Sequence, residues 1–115
     1  LTHSAIHSNV LPLLFHIGTE DESLRRRLID YIAHRGLSCM GVYMAYFTLA
    51  ALMQQGETDL ALQLTLDPGC WKNMLAEGAT TTYEAGGKDQ KWNTSLFHPW
   101  ATAPLIVFAK GVRPY

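Results

Sequence analysis

Glu84 is the residue whose neighbours best equip it for chemistry. It stands in "EGATTTYEAGG", Glu77 to Gly87, behind three threonines and Tyr83 and ahead of Gly86 and Gly87. β-Branched and aromatic residues favour extended backbone and paired glycines accept bends, so Glu84 is expected where an extended segment turns. Trp71, Tyr83, Trp92, His98 and Trp100 flank it in the sequence. Sugars bind in such company: their C–H faces pack on aromatic rings while their hydroxyls hydrogen-bond to polar groups. A carboxylate among those rings can activate water. Core tryptophans beside a solvated loop glutamate explain the same composition, and on residue types alone both readings stand.

Two other groupings have the right residue types and weaker support. Cys70, in "PGCW", is expected at a helix N-terminus, where backbone amides lower a thiol pKa, and His98 follows it as a partner base. No third residue orients the pair, and an apolar setting favours a buried structural thiol. His3 and His7 are four apart on one helical face with His16 nearby, a spacing that can clamp a metal. No further ligand is evident, so no metal site is expected. The triple arginine 25–27 spreads around a helix and is read as a solvated outer face.

These residues need a scaffold, and the patterning supplies helices. The 115 residues, 48% of them hydrophobic, make one globular domain. Nine basic against ten acidic side chains leave a formal charge of -1, with no electrostatic footprint for nucleic acid or an anionic membrane. From Gly36 to Gly56 no residue is charged, yet the apolar stretch Met40 to Met53 falls short of the ~20 residues a membrane helix needs. A buried helix is the expectation there. Two cysteines are too few for a disulfide framework.

Ile6, Val10, Leu13, Leu14 and Ile17 predict a first helix ending at Gly18, kinked at Pro12. Thr19 to Glu22 reads as a capping box opening a second helix that stops at Gly36. A third runs about Met40 to Gln55, apolar nearly all round. Thr58 is expected to cap a fourth helix through Leu66, and Asp67-Pro68 to open a short fifth one ending near Gly78. Thr80 to Tyr83 is the one strand expected, and a last helix spans about His98 to Lys110. Short links between wet-faced and dry helices favour antiparallel αα-hairpins. The long stretch after Gly78 breaks that pattern, and it holds Glu84.

The order of residues adds a resemblance. "SAIHSNVLPLLFHIG", "EGATTTYEAGGKDQKW" and "SLFHPWATAPLIVFAKGV" resemble the closing portion of bacterial α-L-rhamnosidases, glycoside hydrolase family 78, over Ser4 to Val112. The Gly-Ala-Thr-Thr-Thr-aromatic-Glu run is the most specific part. The resemblance implies an (α/α)6 toroid, inverting hydrolysis of terminal α-L-rhamnosyl groups, no metal or organic cofactor, and a carbohydrate partner. It gives Glu84 the general-base role and His98 a place in the sugar site; Trp92, Trp71 and Tyr83 are candidate sugar contacts from their place around Glu84 in the sequence.

The family's general acid belongs to a motif far upstream, and none of it lies in this sequence. The chain is therefore expected to be a C-terminal piece of a larger catalytic domain, inactive alone and prone to self-association through uncovered helix flanks. The family also places a tryptophan two residues after the base. Gly86 stands there, and Trp92 is the candidate to replace its stacking surface. The alternative from another class is a non-catalytic helical module that binds carbohydrate or a protein partner.

Overall fold

The structure, a computed structural model, describes residues 5–110, and the elements it contains are helical. They are α1 (His7–Leu14), α2 (Glu22–Arg35), α3 (Val42–Gln54), α4 (Thr58–Leu66), α5 (Trp71–Ala76), a 3-10 turn (Pro99–Thr102) and α6 (Ala103–Lys110). The all-α expectation holds. The helix starts differ where local hydrogen bonds outcompete the pattern. The α2 cap is Asp21, not Thr19: its carboxylate accepts from the Ser23 N–H at 2.9 Å and the Leu24 N–H at 3.2 Å. Thr58 is the first helical residue of α4, with Glu57 in the capping position. Asp67 closes α4 rather than opening α5, whose start falls later at Trp71.

The first helix is shorter than its apolar spacing predicts. Ile6, Val10 and Leu13 are buried, but α1 stops at Leu14 and Ile17 is exposed, because His16 and Gly18 both turn through the left-handed region at φ 56° and 71°. The C-terminal helix is likewise divided, a tight turn holding Pro99–Thr102 before regular α-helix begins. Gly111, which follows the expected end of this helix at Lys110, and His3 lie outside the described residues.

Helix α3 is the hub, packing against α1, α4, α6 and the 3-10 turn. Its mixture of Val42, Ala45, Thr48, Leu49, Ala51 and Leu52, all essentially fully buried, is what a helix enclosed on several sides must have. The Thr48 hydroxyl donates to the Met44 carbonyl at 2.9 Å, so this polar side chain enters the core with its hydrogen bond made. Three residues separate α3 from α4, and the two form a helical hairpin. Around α3 gather Val10 and Leu13 of α1, Leu28, Ile29 and Ile32 of α2, and Leu64 of α4. Arg26 ties the outer surface together, reaching Asp30 within α2 and Glu57 at the head of α4, each at 3.0 Å. The molecule is a slab with principal extents of 43 × 33 × 19 Å, about two helix diameters thick. No described helix is long and apolar enough to cross a membrane.

Candidate functional site

The threonine run does not form a strand, yet it is laced to the segment before the 3-10 turn. The Glu84 N–H donates to the Ser95 carbonyl at 2.9 Å, and the His98 N–H to the Thr82 carbonyl at 2.8 Å. Threonine hydroxyls add to the lacing: Thr82 donates to the His98 carbonyl at 2.8 Å, and Thr81 to the Leu96 carbonyl. Two adjacent side chains of this segment do different jobs. Tyr83 is buried with Val42, Met74 and Ala101, while Glu84 next to it opens to a cleft. Two of the three threonines read in sequence as strand formers, Thr81 and Thr82, thus hold the glutamate's loop through backbone and hydroxyl bonds to a neighbouring arm.

The far side of the loop is fixed by α5. Asn73 donates to the Gly86 carbonyl at 2.9 Å and to the Glu77 carboxylate at 3.1 Å, and that carboxylate also accepts from the Lys88 N–H at 3.0 Å. Gly86 and Gly87 are not turn glycines of positive φ. They are required by close approach. A β-carbon at Gly86 would lie 2.7 Å from the Gly69 carbonyl oxygen and 3.1 Å from Cys70 Cα, backbone atoms that cannot swing aside as a side chain can. A tryptophan cannot occupy that position in this backbone. Overpacking of this kind costs about 1–3 kcal/mol. Gly86→Ala is therefore expected to lower the denaturation midpoint by a stability loss of that size, and an unchanged midpoint would refute the packing account.

Glu84 lies in a cleft of about 440 Å³ whose lining includes Ser38, Tyr43, Gly86, Gln90 and Lys91. One carboxylate oxygen pairs with the Lys91 ammonium; the other accepts from the Ser95 N–H at 3.1 Å. The Lys91 hydrogen bond is the largest influence on the acid and the Ser95 N–H the next. Together with Coulombic attraction to Lys91 and His98 they outweigh desolvation and hold Glu84 below the usual carboxylate range. It is ionised at neutral pH. Among the described residues lining the cleft it is the one carboxylate.

His98, the residue before the 3-10 turn, meets Tyr43 in a T-shaped contact with ring centroids 5.8 Å apart, and Tyr43 stacks on Trp100 at 4.8 Å. Glu84, His98 and Trp100 are thus gathered around the start of α3, with Tyr43 as the link. Sequence reasoning missed Tyr43 because it sits inside an apolar run and has the look of a core aromatic. Its single signal was its place in the first turn of the helix, one residue after Val42, where its side chain is half-exposed while that of Val42 is buried.

The remaining candidates are placed elsewhere. Trp71 is half-buried, donates its indole N–H to the Ala101 carbonyl at 2.6 Å and packs against the core. Tyr83 is buried beside it, so neither ring faces the cleft. Trp92 is 96% exposed and does not line the cleft.

Cys70 lines a separate cleft with Ser38, Leu64 and Asp67, and burial pushes its thiol up to about 11, the reverse of what a nucleophile needs. Among the described residues no group of three His, Cys, Asp or Glu side chains could hold a metal ion.

Comparison with known proteins adds one match. No curated protein and no solved structure matches the chain. The family model described as the bacterial alpha-L-rhamnosidase 6 hairpin glycosidase domain matches residues 1–112. A chain matched over nearly its whole length, built from helical hairpins around an apolar hub, belongs to the bacterial α-L-rhamnosidase six-hairpin glycosidase family and forms part of its α/α toroid.

Proposed function

We propose that this chain is the C-terminal part of a catalytic domain that hydrolyses terminal α-L-rhamnosyl groups with inversion, and that Glu84 is its general base. The observation that carries the reading is Glu84 itself: a carboxylate kept ionised by Lys91 and the Ser95 N–H, on a doubly laced loop, and alone among carboxylates in its cleft. An inverting hydrolase needs two carboxyl groups about 6.5–9.5 Å apart, one protonating the departing oxygen and the other activating water on the opposite face. A single ionised carboxylate supports the base half of that pair. The acid is assigned to a preceding hairpin of the domain, since six hairpins need more helices than the described residues hold.

In this mechanism Glu84 takes a proton from the attacking water through a free lone pair, while Lys91 and Ser95 fix the carboxylate plane. Proton NMR of the full-length protein acting on an aryl α-L-rhamnoside tests it. The β-anomer of L-rhamnose is expected first, before mutarotation. First release of the α-anomer would indicate a covalent intermediate and carboxyls about 5 Å apart, and Glu84 would not be a water-activating base.

A further inference from the structure

Gly86 leaves the cleft without a ring two residues beyond Glu84, and Trp92 lies outside the lining, so any stacking surface must come from other elements. Tyr43, in the first turn of α3, and Trp100, in the 3-10 turn, supply one. Their rings lie 4.8 Å apart and 27° from parallel, the one stacked aromatic pair among the described residues. The His98 ring meets Tyr43 at 66°, which sets Tyr43 from a second side. Large rings that serve only packing tend to be covered, yet Tyr43 and Trp100 are 50% and 49% exposed. Of the two, Tyr43 lines the Glu84 cleft on a wall with Glu84, Lys91, Gln90 and Ser38, and Trp100, outside that lining, joins it through its stacking on Tyr43, which Trp92 does not do. Apolar rings next to convergent donors and acceptors form the lining that a pyranose needs, one face C–H and the rim hydroxyl.

We propose that the Tyr43–Trp100 pair is the stacking platform of this cleft, taking the C–H face of a pyranose ring while Lys91, Gln90 and Ser38 meet its hydroxyls. The proposal rests on the reading of the Glu84 cleft as a sugar site. It gives the two rings a binding role separate from the chemistry at Glu84. Because the two rings come from different helical elements, the platform exists once α3 and the 3-10 turn have packed, and His98 steadies it without itself having to contact ligand.

Saturation-transfer NMR of the full-length protein with methyl α-L-rhamnopyranoside tests the platform, with L-rhamnitol, the open-chain polyol, as the probe that has hydroxyls but no ring face. The wild-type protein is expected to bind the glycoside at least tenfold more tightly than the polyol. Trp100→Ala and Tyr43→Ala should each weaken glycoside binding about tenfold or more, and Trp100→Phe should restore most of it. Both rings are half-exposed, so these variants should keep the wild-type circular dichroism; Trp100→Phe retains the ring in case truncation disturbs the turn. Wild-type affinity in folded Trp100→Ala, or equal binding of the polyol, would overturn the platform. Glu84→Gln separates the two readings. If it binds glycoside normally but turns over at the wild-type rate, the base assignment falls and the platform stands. If it loses turnover while the aromatic variants bind normally, the platform falls and the base stands.

Discussion

Replacing Glu84 by glutamine in the full-length protein is expected to lower kcat on an aryl α-L-rhamnoside by about a hundredfold or more, with KM little changed. Glutamine preserves the shape and still accepts from the Ser95 N–H, so the loop should stay in place. It cannot take a proton from water at neutral pH, and that loss appears in the transition state alone. A tenfold rise in KM with kcat intact would instead make Glu84 a binding residue.

The pH dependence follows from the same groups. A base is active while ionised, and Glu84 titrates below the usual carboxylate range because Lys91 pairs with it and Ser95 donates to it. The acid limb of the pH–rate profile should therefore lie below that of an unperturbed carboxylate. The charged and titratable groups facing Glu84 are Lys91, which dominates, and His98, whose influence has the same sign; Tyr43 and Cys39 complete the titratable lining. Lys91→Met removes the largest stabiliser of the ionised form, so the acid limb should move to higher pH, and Lys91→Arg should return it. A limb unmoved in Lys91→Met would mean that the ion pair does not control the ionisation of the base.

Leu49→Ala is expected to cost about 2–5 kcal/mol, the range for deleting a buried leucine side chain and leaving part of the cavity unfilled. Leu49 is fully buried at the middle of α3, and neighbours from several helices must all move to close the hole. That is a large share of the stability of a domain this size. Leu105, on α6, is 71% exposed, and Leu105→Ala should change stability by no more than about 0.5 kcal/mol. Urea unfolding at constant m-value measures both. Similar midpoints for the two variants would mean that α3 is not the hub of the core.

The comparison of sequence and structure divides along the range of the interactions. The existence of each helix was legible locally. The apolar run of α3, the amphipathic stripe of α2 and the glycines after α2 and α3 act within a few turns, so periodicity and stop residues report them directly. Helix starts were less legible because several residues near each one can cap. Thr19 and Asp21 are both able to, and the backbone geometry that lets Asp21 reach two amides is set by how the chain leaves Gly18.

Glu84 could be singled out in sequence because its threonines and glycines are peculiar in composition. Their purpose could not be read there. Thr81 and Thr82 lace a second arm 15 and 16 residues away, and Gly86 makes room for Gly69 and Cys70, both contacts across the fold. The aromatics illustrate the same limit. Composition offered Trp71, Tyr83, Trp92 and Trp100 as equals, but burial removed Trp71 and Tyr83 from the cleft, full exposure set Trp92 apart, and packing of α3 against the 3-10 turn joined Trp100 to Tyr43, 57 positions earlier. By itself the sequence determined that the chain is helical, which face of each helix is apolar and which glutamate merits attention, since these depend on residue type and short spacing. Tertiary structure alone decided which rings and which lysine stand beside that glutamate, because such neighbours are brought together by burial of distant segments against one core and leave no periodic trace in the chain.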